Sequence, residues 1–162
     1  MQDIAALAER VVEAASKRCK TIAVAESCTG GMIAAAITSV AGSSRVFLGG
    51  VVSYSNELKE LFLNVSRETL ISHGAVSPQT ALQMVRGIAS RTNADLAVAV
   101  TGIAGPSGGT IDKPVGLVYI SVKGIGGVEA VHEFRFTDDR QEIRGKTTTE
   151  ALRLLFGALH RV

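Results

Sequence analysis

Thr21-Ile22-Ala23-Val24-Ala25-Glu26-Ser27-Cys28-Thr29-Gly30-Gly31 is an apolar run that ends in a small polar loop, and Met32 to Val40 continue it with Ala and Ile at helical spacing. Such a run, closed by small polar residues and two glycines, predicts a strand buried on both faces that feeds a helix. The junction exposes side-chain hydroxyls. It also offers an anion the free N–H groups and positive dipole end of the new helix. Gly30 and Gly31 allow a sharp turn or the close approach of a ligand to the backbone.

Working outward, Ile4, Leu7, Ala8, Val11, Val12 and Ala15 fall on one face of a helix over residues 2–18. Strand 21–26 leads through the loop to a helix from about 30 to 41, which Gly42 stops. Residues 45–54 read as a second strand whose two glycines suggest a bulge or a close contact. Ser55 or Asn56 caps a short helix that carries Lys59 and ends near Leu63, and Ser66 starts another that stops at His73-Gly74. Ser77-Pro78 is a capping residue followed by Pro at the first helical position, opening a helix through about Arg91. Asp95 to Thr101 is a nearly all-apolar strand. A glycine-rich loop runs from Gly102 to Lys113-Pro114; strands 115–123 and 128–136 then form a hairpin about Gly124, Gly126 and Gly127. Asp138 or Asp139 caps a last helix to about His160, with Ile143, Leu152, Leu155, Phe156 and Leu159 inward. Helices alternating with buried strands, plus one hairpin, predict a three-layer α/β/α sandwich around a mixed, mostly parallel sheet of about five strands. Ligands of such sheets bind at the carboxyl ends of the strands, so the loops 26–31, 54–59 and 102–113 are the candidate sites.

At 162 residues, 46% apolar and 20% charged, the chain is expected to be one ordered domain with a real core. A net charge of +2, the absence of Trp and the lack of a basic stripe interleaved with aromatics give nucleic-acid binding little support. No apolar run approaches the ~20 residues of a membrane span. Met1-Gln2-Asp3-Ile4 begins an amphipathic helix and does not read as a signal peptide. Cys19 and Cys28 alone make no disulfide framework, and a cytoplasmic location is the simpler reading.

The familiar chemical motifs are absent. There is no Gly-x-x-x-x-Gly-Lys-Ser/Thr loop, no Gly-x-Gly-x-x-Gly, no His-Glu-x-x-His, no Cys-x-x-Cys and no Gly-x-Ser-x-Gly. This pattern disfavours a dinucleotide fold and a bound metal. None of His73, His132 and His160 is well placed as a base for Ser27. Lys59, the only lysine between Lys20 and Lys113, could take that proton if it were held neutral, giving a Ser–Lys dyad. The bland alternative is a solvated Lys59 and a Ser27 that only turns the chain. Tyr54 could orient either partner or simply pack at a strand end. Cys28 is either a rival nucleophile at a helix N-terminus or a small buried hydrophobe. Glu26 is either an acid/base group or an acceptor that ties down the loop. Gly102 to Gly109 can form an anion-binding nest, a flap or a structural crossover. Arg140 and Arg144 oppose the dipole of the last helix, so each serves either an anionic ligand or the surface.

Four stretches in order resemble the CinA C-terminal family: Ala25-Glu26-Ser27-Cys28-Thr29-Gly30-Gly31, Tyr54-Ser55-Asn56-Glu57-x-Lys59, His73-Gly74-Ala75-Val76-Ser77, and Thr101-Gly102-Ile103-Ala104-Gly105-Pro106-x-Gly108-Gly109 with Lys113-Pro114-Val115-Gly116. The resemblance runs from about residue 5 to 158 and is similar to the free form of a domain that also occurs fused behind a larger one. It implies hydrolysis of the carboxamide of nicotinamide mononucleotide to nicotinate mononucleotide and ammonia, in pyridine-nucleotide recycling, with no cofactor or metal. Ser27 is then the nucleophile, Lys59 its base and Tyr54 an assistant. The substrate would meet Glu26, Cys28, Thr29, Gly30, Gly31, Asn56, Gly102, Ile103, Gly105, Gly108, Gly109 and Arg140. Loop N–H groups around Cys28 to Gly30, or Gly102 to Ile103, would hold the oxyanion. The glycine loop and Arg140 would hold the 5′-phosphate. A homo-oligomer is expected, and the partner is a small nucleotide. Two other readings stay open: a non-catalytic nucleotide- or partner-binding module linked to competence and DNA damage, and an amidase for a different small carboxamide.

Overall fold

The computed structural model describes residues 4–160, so residues 2 and 3 of the expected first helix lie outside the described residues. In chain order the elements are α1 (Ile4–Lys17), β1 (Ile22–Glu26), α2 (Met32–Thr38), β2 (Phe47–Val52), α3 (Asn56–Leu63), α4 (Arg67–His73), α5 (Pro78–Thr92), β3 (Leu96–Gly102), β4 (Leu117–Lys123), β5 (Glu129–Arg135) and α6 (Arg140–His160). The sheet order is β2-β1-β3-β4-β5. β1 is parallel to both β2 and β3, and β4 is antiparallel to both β3 and β5. Four strands therefore run one way and β4 alone runs back.

Alternation within the central strands decides the layers. Ile22, Val24, Leu96, Val98 and Val100 pack against α1, α2 and α6, whereas Ala23, Ala25, Ala97 and Ala99 pack against α3, α4 and α5. Both strands are buried throughout their apolar length, as a two-sided sheet requires. The result is the expected three-layer α/β/α sandwich. On the alanine face α5 and the end of α3 come very close: a Cβ added to Gly87 would lie 1.9 Å from the Leu63 carbonyl oxygen.

The helix starts follow the capping signals. Ser55, Ser66 and Ser77 accept hydrogen bonds from the N–H groups of Leu58, Thr69 and Thr80. Asp139 does the same for Glu142 at the start of α6, 2.9 Å away. Some boundaries move. The helix expected over about 30–41 is only Met32–Thr38, because Gly31 takes a φ of 102° before it and a short 3-10 turn, Ser43–Arg45, follows it. The second strand, expected over 45–54, is Phe47–Val52, which leaves Ser53 and Tyr54 in the loop toward α3. Phe156 is half-buried rather than fully inward, with the Arg10 guanidinium 4.3 Å above its ring.

This topology makes a crevice. From β1 the chain crosses one face through α2 to reach β2, then crosses the other face through α3–α5 to reach β3 on the far side of β1. The carboxyl ends of β1 and β3 flank that switch point, where open α/β sheets bind ligands.

Candidate active site

Ser27 is the first residue after β1, and its N–H donates to the Val100 carbonyl of β3 at 3.1 Å. Side chains alternate along a strand, so Ser27 shares the face of Ala23 and Ala25, the side that carries α3. Lys59 descends from the second turn of α3 onto this face and is 1% exposed. Its Nζ lies 3.1 Å from Ser27 Oγ and donates to the Ser53 carbonyl oxygen at 2.7 Å. Burial pulls the amine from 10.5 down to about 8, because the charged form loses its water. A neutral amine here can accept the Ser27 proton, and near pH 8 a large fraction is neutral. The structure thus brings Ser27 and Lys59 together, with the lysine out of solvent.

Glu26 has a different task from contacting a ligand. It is 1% exposed, and its carboxylate accepts from Thr29 Oγ1 (2.6 Å) and from the N–H groups of Gly31 (3.0 Å), Ile33 (3.1 Å) and Ala34 (2.8 Å). α2 has no side-chain cap at Gly31, and Glu26 supplies the missing acceptors. The expectation that this helix start offers free N–H groups to an anion is therefore corrected: a resident carboxylate occupies them. Thr29, also buried, spends its hydroxyl on Glu26.

Cys28 is buried, and burial pushes its thiol from 9.0 up to about 11, which makes it a small apolar residue rather than a rival nucleophile. The N–H of Gly30 turns back to the Ser27 carbonyl at 3.0 Å, with Gly30 at a φ of 60°. The N–H groups of Cys28 and Thr29 have no carbonyl or carboxylate acceptor among the described residues. They are donors left beside Ser27, the Cys28 N–H also bearing on its own thiol. Of the alternative pair, the Ile103 N–H is spent, donating to Leu117 O at 2.9 Å, which makes Gly102–Val118 the non-hydrogen-bonded pair of the β3–β4 ladder and leaves the Gly102 N–H on the β1 side.

The glycine loop is folded onto its own end. Cβ atoms added to Gly105 and Gly109 would lie 2.4 Å and 2.7 Å from Val115 atoms, so these positions need glycine for close packing. Gly108 is exposed, at a φ of 91°. Thr110 and Lys113 close a turn, and Lys113 Nζ donates to the His73 carbonyl at the end of α4. Arg140 joins this loop to the next: Nη1 donates to Gly105 O at 2.7 Å and Nη2 to the Tyr54 hydroxyl at 3.0 Å. Tyr54 is 57% exposed and makes no hydrogen bond to Ser27 or Lys59. It stands on the rim, as does the exposed Asn56. Arg144 donates from Nε to Cys28 O and from Nη2 to Thr29 O, each at 3.1 Å. A cavity of about 580 Å³ beside these loops is lined by Ala104, Pro106, Val115, Asp139, Arg140 and Arg144 among others. Among the described residues no three His, Cys, Asp or Glu side chains gather as metal ligands.

Sequence reasoning missed Ser53. Its carbonyl holds Lys59, and its own hydroxyl is fully buried without a partner among the described residues. The available signal was a polar residue in step with the strand alternation at the end of β2, one place beyond the Glu26–Val52 pair.

Fold and site define a class: a three-layer α/β/α domain with a buried serine–lysine pair at the carboxyl ends of its strands. The family model for the CinA C-terminal domain matches residues 4–159, and the chain belongs to that family. A CinA-like protein of Syntrophomonas wolfei is 55% identical over 136 residues, covering 84% of this chain and 32% of the relative. A CinA-like protein of Thermotoga maritima is 48% identical over 147 residues, covering 89% of this chain and 35% of the relative. The chain thus spans about a third of the length of these curated relatives. Among solved structures, the competence/damage inducible protein CihA of Agrobacterium tumefaciens superposes with a TM-score of 0.95 at 48% identity, covering 99% of this chain and 98% of that one. A CinA superfamily protein of Klebsiella pneumoniae superposes with a TM-score of 0.93 at 35% identity, with 98% of each chain covered. No helix among the described residues is long and apolar enough to cross a membrane.

Proposed function

We propose that this domain is a serine–lysine amidohydrolase acting on the carboxamide of nicotinamide mononucleotide, and the buried Lys59 amine 3.1 Å from the Ser27 hydroxyl carries that reading. Neutral Lys59 takes the Ser27 proton as Oγ attacks the carboxamide carbon. The N–H groups of Cys28 and Thr29 receive the oxyanion, each donor contributing roughly 3 kcal/mol to the transition state. The Lys59 ammonium returns its proton to the nitrogen, the C–N bond breaks and ammonia leaves. Water then hydrolyses the acyl-serine with Lys59 again as base, releasing the carboxylic acid and restoring Ser27. Burial keeps Lys59 within reach of its neutral form at ordinary pH, as a base must be. Arg140, next to the 580 Å³ cavity and bonded to Tyr54 on the rim, is the candidate for the 5′-phosphate.

The names of the relatives speak of competence and damage rather than of an enzyme, and the second reading is a nucleotide- or partner-binding module without turnover. Ammonia release from nicotinamide mononucleotide separates the two, measured for the wild type, Ser27→Ala, Cys28→Ala and Lys59→Ala with folding checked by circular dichroism. The amidase reading expects activity in the wild type and Cys28→Ala, and losses of ~10³-fold or more in the other two. Comparison with nicotinamide riboside tests the phosphate site. A folded wild type that releases no ammonia would overturn the amidase and leave the binding module.

A further inference from the structure

We infer that Arg144 is a positioning residue that builds the oxyanion hole: by holding the Cys28 and Thr29 carbonyls it aims the Thr29 N–H at the substrate oxygen. This rests on the reading of Ser27 as nucleophile. A peptide unit is planar and trans, so its N–H points opposite to its carbonyl. The Cys28 carbonyl is drawn toward α6 by Arg144 Nε at 3.1 Å. The N–H of the same peptide, that of Thr29, therefore points away from α6, toward the face of the sheet that carries Ser27 and Lys59. That N–H has no internal acceptor among the described residues.

Three further features fit a built device. Arg144 Nη2 holds the next carbonyl, Thr29 O, at 3.1 Å, so two successive peptides are fixed by one rigid guanidinium. Thr29 Oγ1 is anchored to Glu26 at 2.6 Å, so the residue is gripped at its side chain as well. Gly30 leaves the room this needs: a Cβ there would lie only 3.2 Å from Arg144 Nη2. A permanent positive charge on a peptide oxygen also polarises that peptide and strengthens its N–H as a donor. The guanidinium is thus already committed to backbone carbonyls. Arg140, four residues earlier, instead divides its guanidinium between Gly105 O and the Tyr54 hydroxyl on the rim.

The test uses p-nitrophenyl acetate, an uncharged ester, in stopped-flow measurements of the p-nitrophenolate burst. Ser27 Oγ attacks the acetyl carbon, its proton passes to Lys59, and p-nitrophenolate leaves. In Arg144→Ala and Arg144→Lys the acylation rate should fall by ~10–100-fold, less than the ~10²–10³-fold of losing an oxyanion donor outright, because the N–H is misaimed rather than removed. The ester concentration giving half the maximal burst rate should stay unchanged. Methylguanidinium in the buffer should restore part of the Arg144→Ala rate, a recovery that a generally weakened fold would not show. Ser27→Ala should give no burst. Because the ester carries no anion, an Arg144 that serves only a substrate phosphate predicts an unchanged rate in both variants, and that result overturns the inference alone. A wild type with no Ser27-dependent burst overturns the nucleophile reading and the inference with it.

Discussion

Lys59→Met should change stability with a sign that depends on pH. The side chain is almost wholly buried, and methionine is of similar length and apolar. In the wild type, burial lowers the amine from 10.5 to about 8. At about 1.36 kcal/mol per unit, keeping Lys59 protonated at pH 7 costs the fold about 3 kcal/mol relative to the unfolded chain. Between the two values the unfolded chain binds more protons than the folded one, so wild-type stability from this group rises with pH across roughly 8 to 10.5. Methionine removes the penalty but leaves the Ser53 carbonyl, now 2.7 Å from Nζ, without its donor. An orphaned buried acceptor costs about 1–3 kcal/mol. The variant should therefore match or exceed the wild type at pH 7 and fall below it at pH 10. The difference between them should move by about 2.5 kcal/mol over that interval. Urea unfolding followed by circular dichroism at both pH values measures it, and other titrating groups cancel in the comparison. A difference that stays flat with pH would refute the claim that burial depresses Lys59.

Three further outcomes follow from the same geometry. Acylation of Ser27 by an activated ester should rise with pH and level off above about 8, the value to which burial brings Lys59; a profile with no inflection between pH 7 and 9 would contradict a lysine base. Iodoacetamide at pH 8 should label the exposed Cys19 and spare Cys28, whose thiol is buried and raised to about 11; peptide mass spectrometry showing equal labelling would remove the argument against Cys28. Gly87→Ala ordinarily favours a helix by ~1 kcal/mol, but with a new Cβ 1.9 Å from Leu63 O it should instead destabilise by roughly 1–3 kcal/mol in chemical denaturation.

Much of the fold was legible because its signals are local. The apolar runs at 22–26 and 96–101 are strands buried on both faces, short and bounded by turn residues as such strands are. Ser55, Ser66 and Ser77-Pro78 started helices where capping chemistry said they would. The ends moved where a neighbour intervened, as at Phe47–Val52, whose length is set by its pairing with β1.

The sequence by itself determined which residue types stand at the carboxyl ends of the strands, because alternation and turn chemistry are written along the chain. Only the tertiary structure decided what those residues do. Ser27 and Lys59 lie 32 positions apart, and they meet because the crossover lays α3 over the face on which Ser27 stands. Glu26, legible as a polar residue at a strand end, became the cap of α2 once the chain folded back over its carboxylate. Arg144 lies 116 positions from Cys28, and packing α6 against β3, β4 and α2 turned a residue unfavourable at its own helix start into the clamp of the loop. Proximity between elements distant in sequence fixes desolvation, hydrogen-bond partners and proton affinity, and these give a serine and a lysine their chemistry.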